Sequence, residues 1–334
     1  MNVAVIGSGS WGTAVAAMVA PRASTTLWAR RSESAAEMTS DRENTSYLPG
    51  IQLPESLAIT SDLAAALDDA EVVVMAVPSH GFREVLERAT DLVHPDARVV
   101  SLTKGVEQGS QLRMTQIAGE VLAIDPTRIG VLTGPNLARE IALGQPAAAV
   151  IAIADQAIAD ELQGLFMHPT FRVYTNLDIV GCEAAGALKN VMAIAAGMTH
   201  GLGYGDNSKA ALVTRALAEL TRLGVALGGA PLTFAGLAGM GDLVATCFSE
   251  QSRNRRVGVE LGRGKSLEVV VAEMNMVAEG VKSTEAILAM ALHHGIEMPI
   301  AEVVGSVLYE GSRPADMVEG LMTREAKAEL YGFE

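Results

Sequence analysis

Short apolar runs alternate with segments of helical period from residue 2 to about residue 175. The runs are nearly continuous and rich in β-branched residues, as is typical of strands buried on both faces of a parallel sheet. Seven strands are predicted, with the sequences NVAVIG, STTLWAR, EVVVMAV, ARVVSLT, RIGVLT, AAAVIAI and FRVYT. The pattern predicts an α/β fold with a Rossmann-like, doubly wound and mainly parallel sheet over residues 1–177.

The strand pattern ends within the segment TNLDIVG, near residue 178. Residues 178–334 are predicted to form an all-helical C-terminal domain. Helices are expected over residues 181–200, 208–228, 266–274, 283–294 and 300–309. The chain is therefore expected to contain two domains of different class.

One predicted helix, GCEAAGALKNVMAIAAGMTHG, carries Lys189 in the middle of an apolar sequence. Glu183, Lys189 and Asn190 are almost its only strongly polar side chains, so the helix lacks a polar face and is expected to be buried. Burial lowers the pKa of a lysine and makes its amine usable as an acid or a base. Alternatively, the aliphatic stem packs on apolar surface while the ammonium reaches water.

Composition narrows the range of functions. The 334 residues are 49% hydrophobic, which suits a large core, and the net charge of −14 argues against general binding of nucleic acid or anionic membrane. Cys182 and Cys247 lie far apart and the six histidines are scattered, so neither a disulfide framework nor a metal site is expected. We find no signal-peptide pattern and expect a cytoplasmic protein without membrane insertion.

The first predicted strand leads directly into GSGSWG, which places Gly7, Gly9 and Gly12 in the spacing G-x-G-x-x-G before a helix. The first glycine permits a tight turn, the second lets the backbone approach a pyrophosphate, and the third lets helix and strand pack closely. A glycine turn without a ligand is the alternative. The order of strand, turn and helix favours a dinucleotide site.

Arginines, rather than an acidic residue, follow the second predicted strand. A guanidinium matches a phosphate with a fork of donors, so Arg30 and Arg31 favour NADP(H) over NAD(H). The nearby Glu33 keeps NAD(H) possible. A solvated pair of arginines at the end of a strand is the other interpretation.

Two loops are predicted at the carboxyl edge of the sheet, where ligands bind in open α/β folds. SLTKG places Lys104 in one loop, and TGPNLARE places Gly134 and Asn136 in the next. These residues are candidates for contacts with a substrate. The alternatives are that Lys104 is merely solvated and that Asn136 caps the following helix.

Three motifs of the helical domain carry further candidates. In GMGDLVATC, Asp242 stands at a predicted helix start, where it either caps N–H groups or serves a site. QSRNRR offers Ser252, Arg253 and Asn254 as an anion site, and the two arginines that follow are expected on a solvated helix face. Glu279 precedes a glycine in MVAEGVKST and is either a loop contact or ordinary surface.

Together these motifs closely resemble bacterial NAD(P)-dependent glycerol-3-phosphate dehydrogenase over essentially the whole chain. GSGSWGTA, PSH, TKG, GPNLARE, GCEAAGALKNV, GMGDLVATC, QSRNRR and AEG occur in the family order. The resemblance implies reduction of dihydroxyacetone phosphate, a small phosphorylated substrate, to sn-glycerol 3-phosphate, the backbone precursor of phospholipids. It also implies a cytoplasmic enzyme that is usually dimeric, so a homodimer is expected.

The resemblance assigns roles by position. Lys189 matches the catalytic proton donor and acceptor. Positions that match substrate contacts are Lys104, Gly134, Asp242, Ser252, Arg253 and Asn254; Asn136 departs from the serine or threonine of many members, although an amide could replace that contact. Positions that match cofactor contacts are Ser10, Trp11, Arg30, Lys104, Ala138, Arg253, Val277 and Glu279, which join Gly7, Gly9, Gly12 and Arg31.

Two other functions remain open from the sequence. A related NAD(P)-dependent dehydrogenase of another hydroxy acid would share the glycine-rich turn and a helical second domain. A non-enzymatic sensor of NADP(H) would retain the first domain but would give Lys189 no reason to lie in a buried helix.

Overall fold

The computed structural model describes residues 1–274 and 278–329, except for the side chain of Met317. The chain divides into two compact units. Met1–Lys104 and Leu112–Ile179 form the first, and Gly105–Gln111 joins the described residues from Val180 onward in the second. The predicted domain boundary, between residues 177 and 178, lies two residues before this change, and nothing in the sequence predicted that 105–111 belongs to the second unit.

Ten strands are found in the first unit. They are β1 (Asn2–Ile6), β2 (Ser24–Trp28), β3 (Glu43–Asn44), β4 (Leu48–Gln52), β5 (Leu57–Thr60), β6 (Val72–Met75), β7 (Arg98–Ser101), β8 (Ile129–Thr133), β9 (Ala147–Ile153) and β10 (Phe171–Asn176). Eight form one sheet in the order β10-β9-β8-β7-β6-β1-β2-β5, and β3 and β4 form a separate antiparallel hairpin. All seven predicted strands are present, whereas β3, β4 and β5 were missed.

The large sheet is mainly parallel, as predicted, because only the β8–β9 pair is antiparallel. The strand order reverses at β1, which pairs with β2 on one side and with β6 on the other. Such a reversal opens a crevice at the carboxyl ends of the strands, and ligands bind there in open α/β folds. The glycine-rich turn follows β1 directly and therefore lies at this point.

Helices cover both faces of this sheet. They are α1 (Ser10–Val19), α2 (Ser32–Asp41), α3 (Leu63–Leu67), α4 (Phe82–Ala89), α5 (Met114–Leu122), α6 (Ala138–Ala142) and α7 (Gln156–Phe166). Successive side chains of a strand point to opposite faces. On β1, Val3 and Val5 pack in one core with α1 and α7, whereas Ala4 and Ile6 pack in another with α3, α4 and α5. The doubly wound arrangement follows from this alternation of buried residues.

From Ile179 onward the described chain is helical, as predicted. The helices are α8 (Ile179–Gly201), α9 (Asp206–Ala226), α10 (Pro231–Ala235), α11 (Asp242–Phe248), α12 (Arg253–Gly262), α13 (Leu267–Ala272), α14 (Glu279–His293), α15 (Pro299–Tyr309) and α16 (Pro314–Met322). A π-helical turn, Leu237–Gly241, precedes α11. The five predicted helices are present. Helix α11 begins at Asp242, the predicted helix start, and α12 lies where a solvated helix face was expected, whereas α10 and α16 are additional.

Helix α8 lies in the core of the second unit. Every residue from Gly181 to Thr199 is buried. The helix is long and apolar enough to cross a membrane, but most of its surface is covered by other parts of the chain. Its apolar sequence is therefore explained by packing inside the protein.

Glycines bring α8 and α12 into backbone contact. Gly197 and Gly201 of α8 face Gly258 and Gly262 of α12, and a Cβ atom on Gly262 would lie 2.6 Å from the carbonyl oxygen of Met198. Only glycine permits so close an approach. The contact holds the start of α12 beside the middle of α8, and this brings two of the sequence motifs together.

Candidate active site

The glycine-rich turn forms an open cradle at the start of α1. Gly7 has a φ of 120°, and a Cβ there would lie 2.6 Å from the carbonyl oxygen of Ala76. A Cβ on Gly12 would meet the carbonyl oxygen of Gly7, whereas a Cβ on Gly9 would have nothing within 4 Å. Gly7 and Gly12 are thus required by the packing of the turn itself. Gly9, the N-cap residue of α1, leaves room for a ligand against the backbone.

Several buried polar atoms of the first unit have no hydrogen-bond partner within the described chain. They include Trp11 Nε1, Thr133 Oγ1 and both amide atoms of Asn136. Buried polar groups are nearly always paired in folded proteins, so these atoms indicate where a bound molecule or water completes the hydrogen bonding. The amide atoms of Asn136 also show that this residue does not cap α6, whose N-cap residue is Leu137. The capping interpretation of Asn136 is wrong, because its amide donates and accepts no backbone bond.

Lys104 and the loop after β8 meet at the carboxyl edge of the sheet. Lys104 Nζ donates a hydrogen bond of 2.8 Å to the carbonyl oxygen of Gly134. Gly134 has a φ of 129°, which favours glycine, and its backbone lies close to Ala149 of β9. Two candidates that are thirty residues apart in sequence are therefore in direct contact, and Lys104 is positioned by the backbone rather than merely solvated.

Arg30 and Arg31 follow β2 and are both exposed. The end of β2 is tied to the glycine-rich turn, since the backbone N–H of Gly7 donates to the carbonyl oxygen of Trp28 over 3.1 Å. Glu33 lies in the first turn of α2, where its own backbone N–H and the Ser32 hydroxyl lower its pKa and the charge of Arg31 adds to this effect. The arginines are thus available to an anion near the turn, with one carboxylate beside them.

A buried cluster surrounds Lys189 in the second unit. Lys189 Nζ donates to Asp242 Oδ1 over 2.6 Å and to Thr246 Oγ1 over 2.6 Å, and the Thr246 hydroxyl lies 3.2 Å from the same carboxylate oxygen, to which it donates. Lys189 is only 5% exposed and Asp242 only 2%. The ammonium does not reach bulk water, so the interpretation in which it extends to solvent is wrong. Its partner Asp242 is the first residue of α11, and its carboxylate is directed to the lysine.

Cys247 lies next to this cluster. Burial raises the pKa of its thiol to about 12, although the charge of Lys189 acts in the opposite direction. A neutral buried thiol is neither a nucleophile nor a metal ligand. Both cysteines of the chain are buried and neither forms a disulfide, as expected for structural residues.

The QSRNRR motif lies at the start of α12. Ser252 is the N-cap residue, and its hydroxyl accepts a hydrogen bond from the backbone N–H of Arg255. Asn254 is buried, with Nδ2 donating to Asn190 Oδ1 over 2.9 Å and Oδ1 accepting from the backbone N–H of Gly280 over 2.9 Å. Ser252 and Asn254 therefore build the local structure that carries Arg253.

Arg253 itself is exposed at the first position of α12. Nearby protein atoms lower the pKa of its guanidinium by partly excluding water, and the charge of Glu279 raises it. Glu279 is the first residue of α14 and directly precedes Gly280, the partner of Asn254. Arg253 and Glu279 are consequently held near one another by the bond from the Gly280 N–H to Asn254 Oδ1.

Family models cover almost the whole chain. Residues 2–159 match the N-terminus of NAD-dependent glycerol-3-phosphate dehydrogenase, and residues 178–319 match its C-terminus. The chain belongs to this family. Its members among curated proteins include glycerol-3-phosphate dehydrogenase [NAD(P)+] 2 of Sphingopyxis alaskensis, which is 56% identical over 99% of both chains.

Other relatives agree with the family assignment. Glycerol-3-phosphate dehydrogenase [NAD(P)+] of Streptomyces coelicolor is 51% identical over 98% of both chains. The crystal structure of glycerol-3-phosphate dehydrogenase from Coxiella burnetii is 37% identical, with a TM-score of 0.92 over 97% of this chain and 99% of that one. The Rossmann-like sheet followed by a helical part is thus the fold of this dehydrogenase family.

The residues singled out in the dehydrogenase sequence fall into two groups, one in each unit. In the first unit, Trp11 and Ala138 share a small apolar cluster beside the glycine-rich turn, and Ser10 starts α1 there. In the second unit, Lys189 contacts Asp242. Asn254 lies in the first turn of α12, and Glu279 lies close to that turn. Val277 lies outside the described residues.

Sequence reasoning missed several residues of these groups. Thr246 follows Asp242 by one helical turn, so the i, i+4 spacing in GDLVAT was a usable signal. Asn190 was noted as polar, but no role followed from its position. Asn44 and Tyr47, which contact the glycine-rich turn, gave no signal because their partners are more than thirty residues away.

Proposed function

We propose that this chain reduces dihydroxyacetone phosphate to sn-glycerol 3-phosphate with NAD(P)H, and that the reaction is reversible. Membership of the dehydrogenase family over the full length supports the reaction. The observation that carries the assignment of chemistry is the buried cluster of Lys189, Asp242 and Thr246. Such a cluster places one proton donor where water is largely excluded.

Lys189 is the proposed acid and base. When bound, the nicotinamide cofactor supplies the hydride to the carbonyl carbon of the substrate. Two of the three ammonium hydrogens of Lys189 are used by Asp242 and Thr246 in the described structure, which leaves one for the substrate oxygen. Transfer of that proton to the developing alkoxide completes the reduction, and neutral Lys189 accepts it in the reverse reaction.

Asp242 and Thr246 are proposed to position Lys189. The carboxylate accepts a hydrogen bond from the ammonium, and the Thr246 hydroxyl accepts from the lysine while donating to the carboxylate. The amine can therefore point its remaining hydrogen in only a narrow range of directions. Holding a donor in this way converts binding into orientation at the reacting atom.

The phosphate of the substrate is proposed to bind Arg253. The guanidinium is exposed at the N-terminus of α12, where the helix dipole also favours an anion. Asn254 supports the position of Arg253 through its buried hydrogen bonds to Asn190 and Gly280. Ser252 supports it by capping the N-terminus of α12. Lys104, Gly134 and Asn136 are the proposed substrate contacts of the first unit, since Lys104 is held at the carboxyl edge and the Asn136 amide is unsatisfied.

NADP(H) is the proposed preferred cofactor, with NAD(H) also accepted. Gly9 leaves room for a pyrophosphate, the buried Trp11 Nε1 lacks a partner in the described chain, and Arg30 and Arg31 offer a site for a 2′-phosphate. The residues proposed to hold the dinucleotide are Gly7, Gly9, Ser10, Trp11, Gly12, Arg30, Arg31, Lys104 and Ala138, together with Arg253, Val277 and Glu279. We further propose a cytoplasmic homodimer without nucleic-acid or membrane partners, which supplies the glycerol backbone of phospholipids.

The test is the loss of reduced-nicotinamide absorbance with dihydroxyacetone phosphate, run in parallel with NADPH and NADH. Turnover with both and a higher kcat/KM for NADPH is expected. Unphosphorylated 2-oxo acids serve as comparison substrates. Turnover of those acids but not of dihydroxyacetone phosphate would indicate a dehydrogenase of another hydroxy acid, and tight binding of NADPH without any turnover would indicate a sensor.

A further inference from the structure

The β3–β4 hairpin packs against the glycine-rich turn through the buried side chain of Asn44. This residue is 3% exposed. Its Nδ2 donates to the carbonyl oxygen of Ser8 over 2.8 Å and to Thr13 Oγ1 over 2.8 Å, while its Oδ1 accepts from the backbone N–H of Tyr47 over 3.1 Å. Since the carbonyl oxygen of Ser8 can only accept and the N–H of Tyr47 can only donate, the amide has a single orientation, with its nitrogen towards the turn.

A second bond links the same segment to the turn. Ser10 Oγ donates to the carbonyl oxygen of Tyr47 over 2.6 Å. Ser8, Ser10 and Thr13 are therefore each tied to residues 44–47, and these three residues alternate with the glycines of GSGSWGT. Three of the four non-glycine residues of GSGSWGT are thus hydrogen-bonded to the hairpin. The hairpin takes part in no strand pairing with the large sheet among the described residues.

The bond to Ser8 fixes the direction of a backbone donor. In a trans peptide the carbonyl oxygen of Ser8 and the N–H of Gly9 point in opposite directions. Because the carbonyl points to Asn44, the Gly9 N–H points away from the hairpin. Glycines on both sides of Ser8 have little intrinsic preference for this conformation, so the hydrogen bond from Asn44 helps to select it.

We propose that Asn44 is a positioning residue for the dinucleotide, because it holds the Ser8–Gly9 peptide and the first turn of α1 in the orientation that binds the pyrophosphate. The inference rests on the proposed dinucleotide site. Asn44 acts through the turn, and a turn that is already oriented loses less conformational entropy when a ligand binds. Loss of the Asn44 donors should therefore weaken dinucleotide binding more than it changes the chemical step.

The test compares Asn44→Ala and Asn44→Asp with Gln52→Ala. The aspartate keeps an acceptor for Tyr47 but lacks the donors for Ser8 and Thr13, and Gln52→Ala removes an exposed hydrogen bond to the carbonyl oxygen of Arg42 in the same hairpin. Isothermal titration with NADP⁺ and with NADPH gives Kd directly, thermal melting gives the stability, and steady-state kinetics gives kcat and both KM values.

For both Asn44 variants, we expect Kd and the dinucleotide KM to rise about tenfold, as two hydrogen bonds of ordinary strength imply. The kcat and the KM for dihydroxyacetone phosphate should stay within about twofold, as should every constant of Gln52→Ala. Folded Asn44 variants that bind NADP⁺ and NADPH as tightly as the wild type would overturn the inference, even if they melt at a lower temperature.

If Asn44→Ala does not fold, Thr13→Val decides the question, because it removes one partner of Asn44 with little change in volume. A rise of about threefold in Kd is then expected, and an unchanged Kd counts against the inference. A wild-type protein that binds neither NADP(H) nor NAD(H) would instead contradict the proposed function. The two failures are therefore distinguishable.

Discussion

Backbone groups make most of the candidate site in the first unit, whereas buried side chains make that in the second. The turn from Gly7 to Gly12 has little side-chain chemistry of its own, and its shape depends on glycines and on hydrogen bonds from the β3–β4 hairpin. The cluster of Lys189, Asp242 and Thr246 consists of charged and hydroxyl groups brought from two helices into an apolar core. A change of shape should disturb the first site most, and a change of charge should disturb the second.

This difference also bears on stability. A buried ion pair stabilises a fold little in net terms, because desolvation of both charges offsets their attraction, yet removal of one partner is strongly destabilising. Retention of Lys189 and Asp242 in the core is therefore better explained by chemistry than by folding. A backbone turn carries no such desolvation cost, and its demands are steric.

The largest effect is expected for Lys189→Met. Removal of a positioned acid should lower kcat by about 10²- to 10⁴-fold, while the Kd for NADPH changes little. The variant should also lose roughly 3–5 kcal/mol of stability, because Asp242 keeps a buried charge without a partner. Steady-state kinetics, titration calorimetry and urea unfolding measure the three quantities, and Lys209→Met, at a half-buried residue of α9 paired with Asp206, is the control.

A double variant separates chemistry from folding in this cluster. Lys189→Met with Asp242→Asn removes both charges, so much of the lost stability should return while kcat remains low. Recovery of turnover in the double variant would show that the buried charge had damaged the site by distortion. The proposed proton transfer by Lys189 would then have to be abandoned.

The turn should respond to shape in a position-dependent way. Gly12→Ala forces a Cβ against the carbonyl oxygen of Gly7 and should cost roughly 1–3 kcal/mol of stability. Gly9→Ala meets no protein atom, so its melting temperature should match the wild type, whereas its Kd for NADPH should rise at least tenfold because the methyl group occupies the space left for the ligand. Equal effects of the two changes on melting temperature would contradict this assignment.

The first site was largely predictable because its signals are local. The order of strand, G-x-G-x-x-G and helix lies within about twenty residues, and seven strands followed from continuous apolar runs. Lys104 and Gly134 were predicted at one sheet edge, since the ends of parallel strands meet there. The short, partly exposed strand β5 was missed because its identity depends on pairing with β2 rather than on its own pattern.

The second site was predictable only in part. The apolar surroundings of Lys189 indicated burial, but its contact with Thr246 depends on how α11 packs against α8, and no periodicity encodes that packing. The same limitation applies to Asn44 and to the Asn190–Asn254 bond, which joins residues 64 positions apart. Of helices α11 and α12, only the start of α11 at Asp242 and a helix face at QSRNRR were predicted, because glycines and polar residues interrupt their apolar spacing.

A second buried charge in the helical unit predicts a pH effect. Glu219 of α9 is 3% exposed, and burial raises its pKa from the usual 4.5 to about 7, although bonds from the backbone N–H groups of Ile300 and Ala301 oppose this. The charge of Arg222 also acts to lower this pKa, and the charge of Glu302 acts to raise it. The folded state therefore holds a proton that the unfolded state releases between about pH 4.5 and 7, so stability should fall as the pH rises through this window.

The measurement compares Glu219→Gln with the wild type by urea unfolding at pH 5 and pH 8. The loss in the wild type should be on the order of 3 kcal/mol over that window, whereas the glutamine does not titrate and should lose less. The difference in unfolding free energy between the two proteins should thus move in favour of the variant at the higher pH. A difference that is the same at both pH values would mean that Glu219 titrates alike in the folded and unfolded states.

The smallest effect concerns the exposed arginines beside the turn. The double change Arg30→Ala and Arg31→Ala should raise the KM for NADPH about tenfold and leave the KM for NADH nearly unchanged, because only NADPH carries the 2′-phosphate that a guanidinium would bind. High salt should reduce the difference, since both side chains are exposed. Arg172→Ala, at an exposed arginine that stacks on Tyr174 of β10, should alter neither KM. Equal losses for NADPH and NADH would instead mean that Arg30 and Arg31 support the shape of the turn, as Asn44 is proposed to do, and that the 2′-phosphate is recognised elsewhere or not at all.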